Sequence, residues 1–232
     1  MKYLKGVLNV LVAVSLMALL SSCCCHRSRQ STCLNLVQNW DFEEPHLDPV
    51  LNPYGPLPPN GIWVVSGTPA LLIANHGTKQ SPQSGQSAVF EFYNTPEGSQ
   101  SVSIGNTNFA PVTVAQTITK PLEGGKTYHL SFWQSAYVST ATNYSALPGK
   151  VRVQLVLANS PTPVYDQIFC VPAGSKWLPQ PQAGQPSGVI HITTGGTYTL
   201  KFSSLGLSDP ISVTKNTPLP ANIDDVSLCG QQ

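Results

Sequence analysis

After the first 22 residues, no stretch repeats its apolar side chains at helical spacing; short runs alternate apolar with polar residues and break at Gly, Pro, Asn and Ser. A punctuated two-residue period confines a chain to half-buried strands joined by tight turns. Such runs cover 36–44, 62–66, 70–74, 86–93, 112–119, 127–137, 150–158, 164–170, 188–194, 197–204 and 222–229. The glycine pairs in Glu123-Gly124-Gly125-Lys126 and Thr194-Gly195-Gly196-Thr197 mark two turns. Segment 45–60 holds too many prolines for a central strand and reads as a surface loop, as does 209–220. With no repeat and no linker, the pattern predicts one all-β sandwich.

The beginning of the chain has a different character. Residues 1–22 carry Lys2 and Lys5 ahead of an apolar run from Val7 to Leu20 and then small residues, the layout of an export signal peptide. Leu20-Ser21-Ser22-Cys23 resembles the lipobox of bacterial lipoproteins, which implies lipidation at Cys23 and a polar tether over 23–32. The expected localisation is therefore the cell envelope, outside the cytoplasm and anchored to the membrane. Cysteine pairs are favoured in such an oxidising compartment. Cys33 precedes the first alternating run and Cys229 closes the last, so neighbouring terminal strands predict a Cys33–Cys229 disulfide, with the state of Cys24, Cys25 and Cys170 open.

Charge is sparse, with 12 basic and 11 acidic residues, and the near balance gives no footprint for nucleic acid. The acids are unevenly placed: Asp41, Glu43, Glu44, Asp48, Asp224 and Asp225 all fall in the two terminal stretches. Brought side by side, those carboxylates repel unless they lie open to water or a hard cation takes them, and Ca²⁺ favours carboxylate and carbonyl oxygen.

LVQNWDFEE at 36–44 and NIDDVSLC at 222–229 resemble the bracket around carbohydrate-binding modules of bacterial cellulases and xylanases. These are galactose-binding-like jelly rolls, and a related cell-wall-associated family has less certain ligands. WVVSG at 63–67, SGQSAV at 84–89, AQTI at 115–118 and GKTYHLSF at 125–132 match in order and rough spacing, so the resemblance covers about 34–228. It implies a single jelly-roll domain over 33–230 and a structural calcium. Glu43 would give a carboxylate, the Asp41 region a backbone carbonyl, and Asp224 or Asp225 the closing carboxylate. Trp40 departs from the family, where a small residue is usual before the Asp.

Parity sorts the strand faces. Tyr128, Leu130 and Phe132 form one apolar stripe and Val151, Val153, Leu155 and Leu157 another; Ala88, Phe90 and Phe92 also suit a core. If these strands are neighbours in one sheet, its outer face combines Trp133, Tyr137, Tyr93, Arg152, Gln154, Glu91 and His129. Aromatic rings stack on the C–H faces of sugars, and amide, guanidinium and carboxylate groups take the hydroxyls. The expected partner is a polysaccharide or cell-wall glycan. A loop covering Trp133 would leave instead a structural or adhesive lipoprotein that keeps the fold without sugar binding. Trp63 reads as structural, and Trp177 as either a sandwich cap or a peripheral contact.

An enzyme is not expected. Hydrolysis of a glycan needs two carboxyl groups about 5–10 Å apart across a cleft, and Glu91, Glu97, Glu123 and Asp166 are scattered. No nucleophile elbow or phosphate loop is present. His46, His76 and His191 lack the spacing of a catalytic zinc site.

Overall fold

The structure is a computed structural model that describes residues 33–44, 46, 54–57, 61–67, 71–74, 79–80, 90–91, 98, 100–104, 112–136, 138–139, 148–172, 174–205 and 221–230. The strands among them are, in chain order, β1 (Tyr54–Pro56), β2 (Val64–Gly67), β3 (Leu71–Ala74), β4 (Lys79–Gln80) and β5 (Phe90–Glu91). Then come β6 (Gln100–Ile104), β7 (Val112–Thr117), β8 (Thr127–Ala136), β9 (Val138–Ser139) and β10 (Gly149–Leu157). The series ends with β11 (Pro163–Val171), β12 (Leu178–Gln180), β13 (Val189–His191), β14 (Tyr198–Ser204) and β15 (Ala221–Gly230).

They form two antiparallel sheets. The first runs β1-β3-β6-β15-β8-β12 with β13 also paired to β8; the second runs β11-β10-β14-β7-β2. A small ribbon, β4-β5-β9, stands apart from both. The expected stripes become the inner faces: Leu130, Phe132, Ile223 and Leu228 of the first sheet and Val153, Leu155, Leu200 and Phe202 of the second are buried in one core. Phe132 crosses the interface, edge-on to Phe169 at 5.1 Å and to Phe202 at 5.2 Å between ring centres. Each such side chain contributes about 1.5–3 kcal/mol by leaving water. Trp63 is structural as expected, packed on Phe42 and Phe202 with its indole N–H donating to Asn39 O.

The terminal stretches are adjacent, though not as two strands. Residues 36–44 were expected to be a half-buried strand; 33–37 is irregular, and a turn follows at 38–41. The Asn35 side chain takes the place of a backbone ladder, donating to Val226 O and accepting from Leu228 N. Leu36 N–H donates to Leu228 O and Val226 N–H to Trp40 O, so the segment still lies along β15. Cys33 and Cys229 are disulfide-bonded, as predicted.

Five strands lie where none was expected: the two-residue β4 and β9, and β1, β6 and β12. β1 sits inside the proline-rich 45–60 segment and pairs with β3. β6 alternates, Val102 and Ile104 against Ser101 and Ser103, but over only five residues, and both of its faces are buried. β12 is an edge strand, where Pro179 costs no ladder bond. Both glycine turns form; they touch through the paired backbones of Leu122 and Gly196, and a Cβ on Gly124 would press on the Gly195 amide at 3.0 Å.

Candidate functional site

The terminal acids are positioned by Phe42. Its ring is fully buried against Trp63 although its backbone has φ 54°, a conformation a bulky residue holds only when its surroundings impose it. With Phe42 pinned inward, Asp41 and Glu43 flank it. Phe42 O accepts from the buried Gln100 amide, and Glu43 Oε1 accepts from Gln100 N–H at 2.6 Å. Gly98 (φ 62°) leaves room for this, since a Cβ there would run into the Glu43 carboxylate.

From the other end of the chain, β15 supplies Asp224 just before a break in register between Asp224 and Ser227, where Asp225 adopts φ 49°. Asp224 is fully buried; its Oδ1 accepts from Asp225 N–H and its Oδ2 has no partner. Burial pushes its carboxyl up to about 9, and repulsion from Asp225, Glu43 and Asp41 adds to the shift. The four acids anticipated from the sequence thus share one electrostatic neighbourhood. Among the described residues, no three Asp, Glu, His or Cys side chains stand as a preformed metal cluster. The donor chemistry nonetheless suits a hard cation: an orphaned carboxylate oxygen with like charges near it.

The anticipated glycan face is divided. Trp133 and His129 lie on β8 in the first sheet, Arg152 and Gln154 on β10 in the second. Both pairs point away from the core, so they sit on opposite outer faces of the sandwich and form no single site. Period-two alternation tells inside from outside, not which sheet a strand joins. Glu91 pairs by backbone with Lys79 and Val138 in the ribbon; its side chain, Tyr93, Tyr137 and Cys23 lie outside the described residues.

A polar platform does form on the second sheet. Arg152 Nε and Nη2 donate to Asp166 Oδ1 and Oδ2 at 2.7 and 2.5 Å, and Gln154 Nε2 donates to Asp166 Oδ2 at 3.0 Å. The hydrogen-bonded pair raises the Arg152 pKa and lowers that of Asp166. Beside it run Thr113–Ser203 and Thr117–Thr199 hydroxyl pairs, with Lys201 opposite Gln154. In the sequence Asp166 stands apart from other acids, and its partners lie 12 and 14 residues away, across the β10–β11 hairpin.

Fold and termini together define an antiparallel β-sandwich of the jelly-roll kind. No family model and no curated protein matches the chain. Among solved structures it is similar to a cyclase from Fischerella sp. TAU in complex with 4-(1H-indol-3-yl)butan-2-one. That match has a TM-score of 0.54 and 13% identity and covers 84% of this chain and 96% of that one. At such identity the likeness speaks for the fold alone. Weaker matches include a CBM61 module in complex with β-1,4-galactotriose (TM-score 0.37, 13% identity, 85% and 99% covered). Another is the CBM22-1 xylan-binding domain of Paenibacillus barcinonensis Xyn10C (TM-score 0.40, 12% identity, 72% and 85% covered).

Proposed function

We propose that this chain is a non-catalytic glycan-binding module, lipid-anchored to the cell envelope through Cys23, with the outer face of the second sheet as its binding platform. The Arg152–Asp166–Gln154 cluster carries the reading. Bidentate pairing fixes the guanidinium against Asp166, leaving its other N–H groups and the Gln154 carbonyl for sugar hydroxyls. The platform is open and flanked by hydroxyl rows, which suits an extended polysaccharide better than a single small molecule. Pull-down on insoluble xylan and cellulose is expected to retain the chain and to lose the Arg152→Ala variant. Because the ion pair is exposed and worth at most about 1 kcal/mol, that variant melts nearly as the parent does.

The second part of the proposal is a structural calcium ion held by Glu43, the Asp41 carbonyl, Asp224 and Asp225. Such an ion would offset the repulsion around Asp224 and fasten the first residues of the domain to β15. Chelator is expected to lower the melting temperature, and Glu43→Ala to abolish that response, since a ligand bound only by the folded state stabilises it by mass action. An unchanged melt in chelator removes the ion from the account.

One observation favours a scaffold without sugar binding: among the described residues, no aromatic side chain lies on the platform. Failure to bind any polysaccharide would select that reading.

A further inference from the structure

We infer that the second-sheet platform takes an acidic polysaccharide, whose uronic-acid carboxylates are met by Lys201 together with the side of the Arg152 guanidinium turned away from Asp166; this rests on the glycan reading above. Cross-strand register lays one outward row over the whole sheet, Val64, Ala115, Lys201, Gln154 and Asp166, with Lys201 at its centre. The row is open: Ala115, Lys201, Gln154 and Asp166 are half-buried, and Val64 is exposed. Around Lys201 on that face stand only the short Thr113, Ala115, Thr199 and Ser203 on its own and the next strand, so nothing bulky there screens its ammonium from a ligand.

The charges on the sheet do not balance. Its five strands carry one acid, Asp166, against three bases, Lys150, Arg152 and Lys201. Lys150 is buried at the start of β10 and offers little to a ligand from solution. Asp166 is committed to Arg152 and Gln154, and among the described residues no carboxylate pairs with Lys201. An uncompensated ammonium therefore stands beside a guanidinium that has N–H groups to spare. Arg152 lies opposite Ser203, two residues along β14 from Lys201. Such diagonal neighbours are about 7–8 Å apart, within reach of two long side chains, so one carboxylate can bridge them by charge-assisted bonds. The same strands turn their aromatic residues, Tyr165, Phe169, Tyr198 and Phe202, into the core. Ring stacking, a principal grip on neutral sugars, is thus not what these strands offer, and charge takes its place.

The test titrates the whole mature chain, by calorimetry, with glucuronoxylan, with the same polymer after its carboxyl groups are reduced to alcohols, with polygalacturonate, and with polyglutamate as a polyanion that is not a sugar. Glucuronoxylan is expected to bind about ten-fold tighter than its reduced form, the worth of one charge-assisted hydrogen bond, and polyglutamate far more weakly. Lys201→Gln keeps an amide of similar reach without the charge; it should melt as the parent does, bind the reduced polymer equally and lose the ten-fold preference. Equal affinity for the two xylans, or a preference that survives in Lys201→Gln, would overturn the inference while the glycan reading stands. Polyglutamate held as tightly as glucuronoxylan would overturn it too, as plain attraction for polyanions. No binding to either xylan or to polygalacturonate would end the inference, and would end the glycan reading with it only if β-1,4-galactan and mixed-linkage β-glucan also fail to bind.

Discussion

Phe42 shows how one side chain decides a neighbourhood. Its aromatic ring is core, its φ is left-handed, and the acids on either side owe their placement to it. Phe42→Ala is expected to cost about 3–5 kcal/mol, measurable by denaturant melting, as the emptied site cannot fully collapse. Asp224 gives a prediction of opposite character. Its folded pKa of about 9 lies above the unfolded value, so its contribution to stability is whole in acid, below about pH 4, and is lost as pH rises through about 9. In chelator the melting temperature should therefore fall across that window. Asp224→Asn should flatten the slope, and a slope unchanged in that variant would refute the assignment. Composition and position in the sequence singled out this carboxylate; its orphaned oxygen was not legible there, because it follows from burial by distant segments.

At the scale of elements, alternation marks the long strands whose two faces differ and passes over the short ones. β8, β10 and β14 present an apolar stripe against a polar one, and their expected limits agree with the structure to within a residue or two. β6 alternates over only five residues, too short a run to stand out, and β12 is shorter still and contains Pro179. Residues 36–44 alternate well yet form no strand, because the Asn35 side chain supplies the bonds a ladder would have made. The disulfide follows from the same adjacency. Replacing Cys33 and Cys229 together with Ser should destabilise the domain by about 2–5 kcal/mol in a thermal or denaturant melt, since the loop it closes spans nearly the whole fold.

Across the whole molecule, strand order was the information that alternation could not supply. Trp133 and Arg152 both read as outward and aromatic or polar, and pairing alone assigns them to different sheets. One imagined face thereby becomes two, an open platform around Arg152 and the outer side of β8 around Trp133. The platform is where the proposed function stands or falls. The most direct measurement is a calorimetric titration of the mature chain with soluble xylan, β-1,4-galactan and mixed-linkage β-glucan, repeated with the Arg152→Ala/Gln154→Ala double variant. Saturable binding of at least one polymer is predicted for the parent and none for the variant, at matched melting temperatures. Identical binding by both proteins, or none by either, would contradict it.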